Sequence, residues 1–118
     1  MKLVSTGVAR EVILVGPWAV KIPKLRYGWR NFLQGLIANM NEATWGRSGY
    51  EGLCPVLFTL PGGWLLIQRR ATPLTCAEWC SLDQESFLDR GDYLIPAEWK
   101  RDSFGRINER IVAVDYGN

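Results

Sequence analysis

The run Val12-Ile13-Leu14-Val15-Gly16-Pro17-Trp18-Ala19-Val20-Lys21-Ile22-Pro23 constrains the fold more than any other stretch. Two short apolar segments meet at Gly16-Pro17, a dipeptide that breaks strands and turns the chain. The pattern predicts a hairpin, Glu11 to Val15 against Trp18 to Ile22. Its second strand holds a lysine in apolar surroundings. A buried ammonium is costly unless an anion meets it, so Lys21 needs either a partner or a route for its long stem to the sheet edge. Side chains alternate along a strand, which sets Trp18 and Val20 against Ala19 and Lys21. Val20 is expected in the core, with Lys21 heading a cleft or the sheet edge.

Before the hairpin, Leu3 to Ser5 suits a strand and Gly7 to Arg10 a turn. After it, Pro23 to Gly28 is basic (Lys24, Arg26) and is expected to be an exposed connection. From Trp29 to Arg47 the period becomes helical, with Leu33, Leu36, Ile37, Met40 and Thr44 on one face. A second stripe, Gly35, Asn39, Glu42 and Gly46, is small and polar and is expected to be solvated. Ser48 to Gly52 ends the helix. Pro55 to Leu60 and Trp64 to Gln68 are strands about the turn signal Pro61-Gly62-Gly63.

Arg69 to Pro73 is a polar exit. Thr75 with Glu78 makes a capping box for a short helix over Thr75 to Trp79, and Asp83 to Leu88 is a further helical turn. Leu94 to Trp99 is extended or irregular. Ile111 to Val114 is a buried strand expected to pair with Ser103 to Arg106 and to bring Asp115 within reach of Lys21. The whole predicts one α+β domain over residues 1–118: an antiparallel sheet of about five strands, one long helix and a small C-terminal part.

Composition matters here mainly through what it excludes. Histidine is absent from the 118 residues, which removes Ser-His and Cys-His nucleophiles. The three cysteines, Cys54, Cys76 and Cys80, form no CxxC pair, so no metal site is expected. Cys76 and Cys80, one helical turn apart, suit packing. A formal net charge of +2 gives no ground for a nucleic-acid partner. No apolar run has membrane-spanning length, and Met1 to Ser5 lacks the apolar core of a signal peptide, so a cytoplasmic location and no membrane partner are expected. Of the six tryptophans, most are expected in or near the core, with one or two left to anchor a partner.

Taken in order, Ala19-Val20-Lys21, a helix bearing Glu42, two strands, Glu98 to Ser103 and Asp115-Tyr116-Gly117 resemble the motif order of the protein-kinase-like fold. The resemblance implies an N-lobe-like sheet with Lys21 as the phosphate lysine and Glu42 as its helix partner. Gln68 to Arg70 would be the hinge. Glu98 falls where the catalytic aspartate belongs, Ser103 where the asparagine belongs and Asp115 where the metal-binding aspartate belongs. The segments "NFLQGLIANMNE", "LCPVLFTLPGGWL" and "DSFGRINERIVAVDYG" also resemble small phage and prophage proteins of proteobacteria.

The pattern departs from the kinase motifs in ways that bear on catalysis. Only Gly7 stands where a glycine-rich loop would cradle phosphates. Glu98 places its carboxylate a methylene further out, Ser103 lacks the amide oxygen of an asparagine, and the chain given stops one residue after Gly117, with no activation segment. The resemblance therefore implies a truncated pseudokinase-type protein of a bacterial host's cytoplasm. It would bind a host protein complex without a cofactor, as an anti-defence inhibitor of the anti-CRISPR type would, with Trp29, Arg69, Arg70 and Trp99 as candidate contact residues. The alternative is a minimal nucleotide-binding or phosphotransfer protein that uses Lys21, Glu98 and Asp115 with ATP and magnesium, Glu42 and Ser103 completing the site.

Overall fold

A computed structural model describes residues 2–5, 10–24 and 28–116, the first four through their backbone. The expected turn at Gly7 and the middle of the Pro23 to Gly28 connection, including Arg26, lie outside the described residues. Strands β1 (Lys2–Ser5), β2 (Arg10–Val15) and β3 (Trp18–Pro23) are followed by helix α1 (Trp29–Arg47). Next come β4 (Val56–Thr59), β5 (Leu66–Arg69) and the short β6 (Thr72–Pro73). Two short helices, α2 (Cys76–Ser81) and α3 (Gln84–Leu88), precede β7 (Phe104–Ile107) and β8 (Arg110–Ala113).

The main sheet is antiparallel and runs β1-β2-β3-β5-β4. The hairpin forms as the pattern predicts, with Val12 opposite Lys21 and Ile13 opposite Val20. On its other side β3 pairs with β5, Lys21 opposite Leu66, so Lys21 stands on an interior strand. A second antiparallel sheet runs β6-β7-β8. Its register, Phe104 with Ala113 and Gly105 with Val112, is the expected pairing of the tail with the segment after Ser103.

Three expectations about sidedness need correction. The first concerns α1, whose apolar stripe faces outward: Leu33, Ile37 and Met40 are exposed, while Phe32, Gly35, Ala38, Asn39 and Glu42 are buried. The reason is close approach. Gly46 lies against Val56 of β4, and a Cβ on Gly63 would collide with the Leu36 carbonyl. The small residues let the helix and its neighbours touch, at the helix-propensity cost of glycine. The second concerns β3, where Ala19 and Lys21 are the buried residues and Val20 is half-buried. The third is that Lys24 is buried rather than on an exposed connection, and Arg10, expected in a turn, is buried as the first residue of β2.

The apolar core lies in the C-terminal part. Leu53, Cys54, Leu74, Phe87, Ile95, Phe104, Val112, Ala113 and Tyr116 form one buried cluster. Trp99 packs on it, its ring 4.8 Å from Trp79 and 5.2 Å from Phe104. The Thr75 capping box closes at 3.1 Å and 3.0 Å, and Asp83 caps α3 through the Ser86 amide at 3.1 Å. Fewer tryptophans are covered than expected, since Trp18, Trp29 and Trp64 are exposed.

Cysteine exposure divides sharply. Cys76 and Cys80 are exposed rather than packed, whereas Cys54 is buried and burial pushes its thiol up to about 12. A thiol reagent at pH 8 should therefore modify two cysteines promptly and the third only after denaturation. Prompt reaction of all three would contradict the burial of Cys54.

Candidate functional site

Four charged side chains from distant parts of the chain meet between the main sheet and α1. Lys21 comes from the middle of β3, Arg10 from the first residue of β2, Glu42 from α1 and Asp115 from just beyond β8. Glu42 is fully buried, and it holds Lys21 Nζ on Oε1 at 2.7 Å and Arg10 on Oε2 at 2.7 Å. The same Arg10 nitrogen reaches Asp115 Oδ1 at 2.6 Å. Two cations and two carboxylates thus close on one another.

Backbone and amide groups complete the arrangement. Lys21 also donates to the Val114 carbonyl, and the Tyr116 amide donates to Glu42 Oε2 at 3.1 Å. Asn39 accepts from Arg10 at 3.1 Å and donates to the Lys21 carbonyl at 3.2 Å and the Gly63 carbonyl at 2.9 Å. One amide therefore ties the helix to β2, β3 and the Pro61–Gly63 turn.

The electrostatics follow from burial and pairing. Burial alone would raise the Glu42 carboxyl, but Lys21 and Arg10 outweigh it and hold it down at about 2. Burial works against the Arg10 charge as well, yet Glu42 and Asp115 keep its pKa above the ordinary value. Burial lowers Lys21 below the ordinary lysine value, with Glu42 pulling the other way.

A cavity of about 410 Å³ opens onto the cluster, lined by Arg10, Lys21 and Asp115 together with Gln68, Leu74 and Phe104. The Gln68 amide nitrogen is buried there and approaches Tyr116 without completing a hydrogen bond of good geometry. A second cavity of about 550 Å³ shares Arg69 with the first and is lined also by Arg90, Arg110, Tyr50 and Glu51.

The structure brings Lys21, Glu42 and Asp115 together but separates the rest. Asp115 comes near Lys21, as expected, yet its ion pair is with Arg10. Glu98 is an exposed loop residue 3.4 Å from Lys100 and is not part of the wall of the 410 Å³ cavity. Ser103 is fully buried with its hydroxyl unpartnered, and its carbonyl accepts the Val114 amide at 2.8 Å; it fixes the tail. Among the described residues no cluster of three metal-ligating side chains occurs. With Asp115 engaged by Arg10 and Ser103 turned into the core, the residues present do not fit a magnesium site.

Of the candidate contact residues, Trp29 is exposed on α1 and Arg69 and Arg70 are exposed where β5 leaves the sheet. Arg70 donates to the Gly16 carbonyl at 3.4 Å. Trp99 is half-buried in the aromatic cluster and serves packing. No helix among the described residues is long and apolar enough to cross a membrane.

No protein-family model matches this chain, and neither a curated protein nor a solved structure is significantly similar to it. Function must be argued from the site.

Sequence reasoning missed Arg10 and Asn39. The usable signal was the pair of glycines on the Gly35, Asn39, Glu42, Gly46 stripe. Glycine inside a helix is destabilising, so two on one face mark a face pressed against other backbone rather than one left in water.

Proposed function

We propose that this protein is a non-catalytic interaction protein on a kinase-like frame, acting by binding a partner protein. The observation that carries the reading is Arg10 lying between Glu42 and Asp115. The aspartate that a phosphotransfer centre turns towards metal is here paired with Arg10. Arg10 also takes the second oxygen of Glu42, whose pair with Lys21 is one an active centre makes as well. A charge set closed in this way holds the helix on the sheet and needs no ligand to neutralise it. The motif likeness to small phage proteins supports a bacterial host complex as the target, with inhibition of host defence as the role.

A second reading, nucleotide binding at Lys21 with Glu98 and Asp115, has one observation in its favour: the 410 Å³ cavity with the buried Gln68 amide at its wall. A thermal melt separates the two. Millimolar ATP with magnesium should leave the melting temperature unchanged, whereas a ligand at a hundred times its dissociation constant adds about 2.7 kcal/mol. A clear upward shift, matched by saturable binding of a fluorescent ATP analogue and lost in Lys21→Met, would overturn the interaction reading.

A further inference from the structure

We propose that the outer face of α1 docks an amphipathic helix of another protein, one whose apolar seam is flanked by carboxylates. The proposal rests on the interaction reading above and names the partner's chemistry. At about 100° per residue, Trp29, Leu33, Ile37, Met40 and Thr44 fall within an arc of about 80°. Leu33, Ile37, Met40 and Thr44 follow one another in steps of four, three and four, the spacing of a seam between paired helices. Trp29 is 70% exposed, Leu33 and Ile37 are each 51% and Met40 is 42%. A neighbouring turn supplies a wall: Trp64, 56% exposed, leans on Phe32 with ring centroids 5.3 Å apart. The tight contact of Gly63 with Leu36 fixes that turn against the helix.

Charge decides the occupant. Arg30 and Arg47 flank this arc, about 26 Å apart along the axis. Arg47 donates to the Thr59 hydroxyl at 2.7 Å and has no carboxylate partner among the described residues. The only acid in α1 is Glu42, which is buried and already paired. The exposed side of the helix is therefore apolar and cationic. A second copy fits poorly, because antiparallel pairing of two α1 helices sets Arg30 beside Arg47 and parallel pairing sets each arginine beside itself. A membrane surface fits poorly too, since the long flanks carry exposed Gln34 and Asn41 instead of the lysine and arginine rows of interfacial helices. A partner helix with acids spaced to meet both arginines completes the charge pairing while it covers the seam.

The test uses two labelled synthetic helical peptides with leucines in steps of four, three and four. One carries glutamates along the flanks and the other carries lysines at the same positions. Titrated with the full chain and followed by fluorescence anisotropy, the glutamate peptide should bind saturably and about tenfold more tightly than the lysine peptide. Ile37→Glu should abolish binding, and the double variant Arg30→Glu/Arg47→Glu should reverse the preference. Lys100→Glu/Arg110→Glu, which changes the net charge equally at exposed positions off the helix, should leave it unchanged. Equal affinity for both peptides, no binding of either, or a preference untouched by the double variant would overturn the proposal. So would a dimer in sedimentation that Ile37→Glu dissolves, or binding to phosphatidylserine vesicles that Ile37→Glu removes. A nucleotide-induced melting shift bears on the interaction reading alone, and failure of the peptides with no such shift removes the α1 face while leaving that reading in place.

Discussion

Replacing Glu42 with glutamine is expected to destabilise the protein by about 3–5 kcal/mol, the cost of removing one partner from a buried ion pair. Domains have only about 5–15 kcal/mol in total, so the variant should be largely unfolded well below the wild-type melting temperature. Glu42 has no exposed surface, and its loss would leave Lys21 and Arg10 with only Asp115 to offset two buried charges. Urea denaturation followed by far-UV circular dichroism measures the effect. Acid gives the same information with a definite sign. A carboxyl held at about 2 in the fold and near its ordinary value in the unfolded chain stabilises fully above that ordinary value. The contribution, about 3 kcal/mol, is lost as pH falls from about 4.5 to 2. The Glu42→Gln variant should lack this limb of the acid profile. Wild-type urea and acid profiles in the variant would show that the cluster does not hold the fold.

Deleting Val112 to Asn118 should abolish cooperative unfolding. The segment carries the end of β8, whose Ala113 exchanges backbone hydrogen bonds with Gly52 and Cys54 at 2.8 Å each. It also carries Tyr116, whose buried hydroxyl donates to the Cys54 carbonyl at 2.7 Å, and Val112, another member of the core cluster. Removing it opens the core and takes away both the Asp115 partner of Arg10 and the Val114 carbonyl that receives Lys21. Loss of a large buried aromatic alone costs about 3–5 kcal/mol. A truncated protein that melts like the full chain would show the tail to be dispensable.

The hairpin, the long helix, the capping box and the terminal strand were legible because each rests on local signals: Gly16-Pro17, a helical period, Thr75 with Glu78, and a short apolar run before Asp115. What stayed hidden was which way the helix faces. Apolar periodicity finds a stripe but assumes that it turns inward, and here charge pairing and close backbone contact decide otherwise. Lys21 stands out because an apolar strand surrounds it, and only the motif likeness points to Glu42 as its partner. Arg10 gives no such sign, since it sits at a strand end beside Glu11 and reads like any surface arginine. Its role depends on a contact with Asp115 across 105 residues of sequence, which no local pattern encodes.

That separation has a kinetic consequence. Closing a loop of such length costs more entropy than forming the hairpin or a helical turn, so the Arg10–Asp115 pair belongs to the late steps of folding, after β2, β3 and α1 have met. Contacts absent from the folding transition state govern the rate of unfolding and leave the rate of folding nearly untouched. Asp115 then acts as a latch: removing its charge should leave the refolding arm of a chevron plot in place and raise the unfolding arm, its slope unchanged.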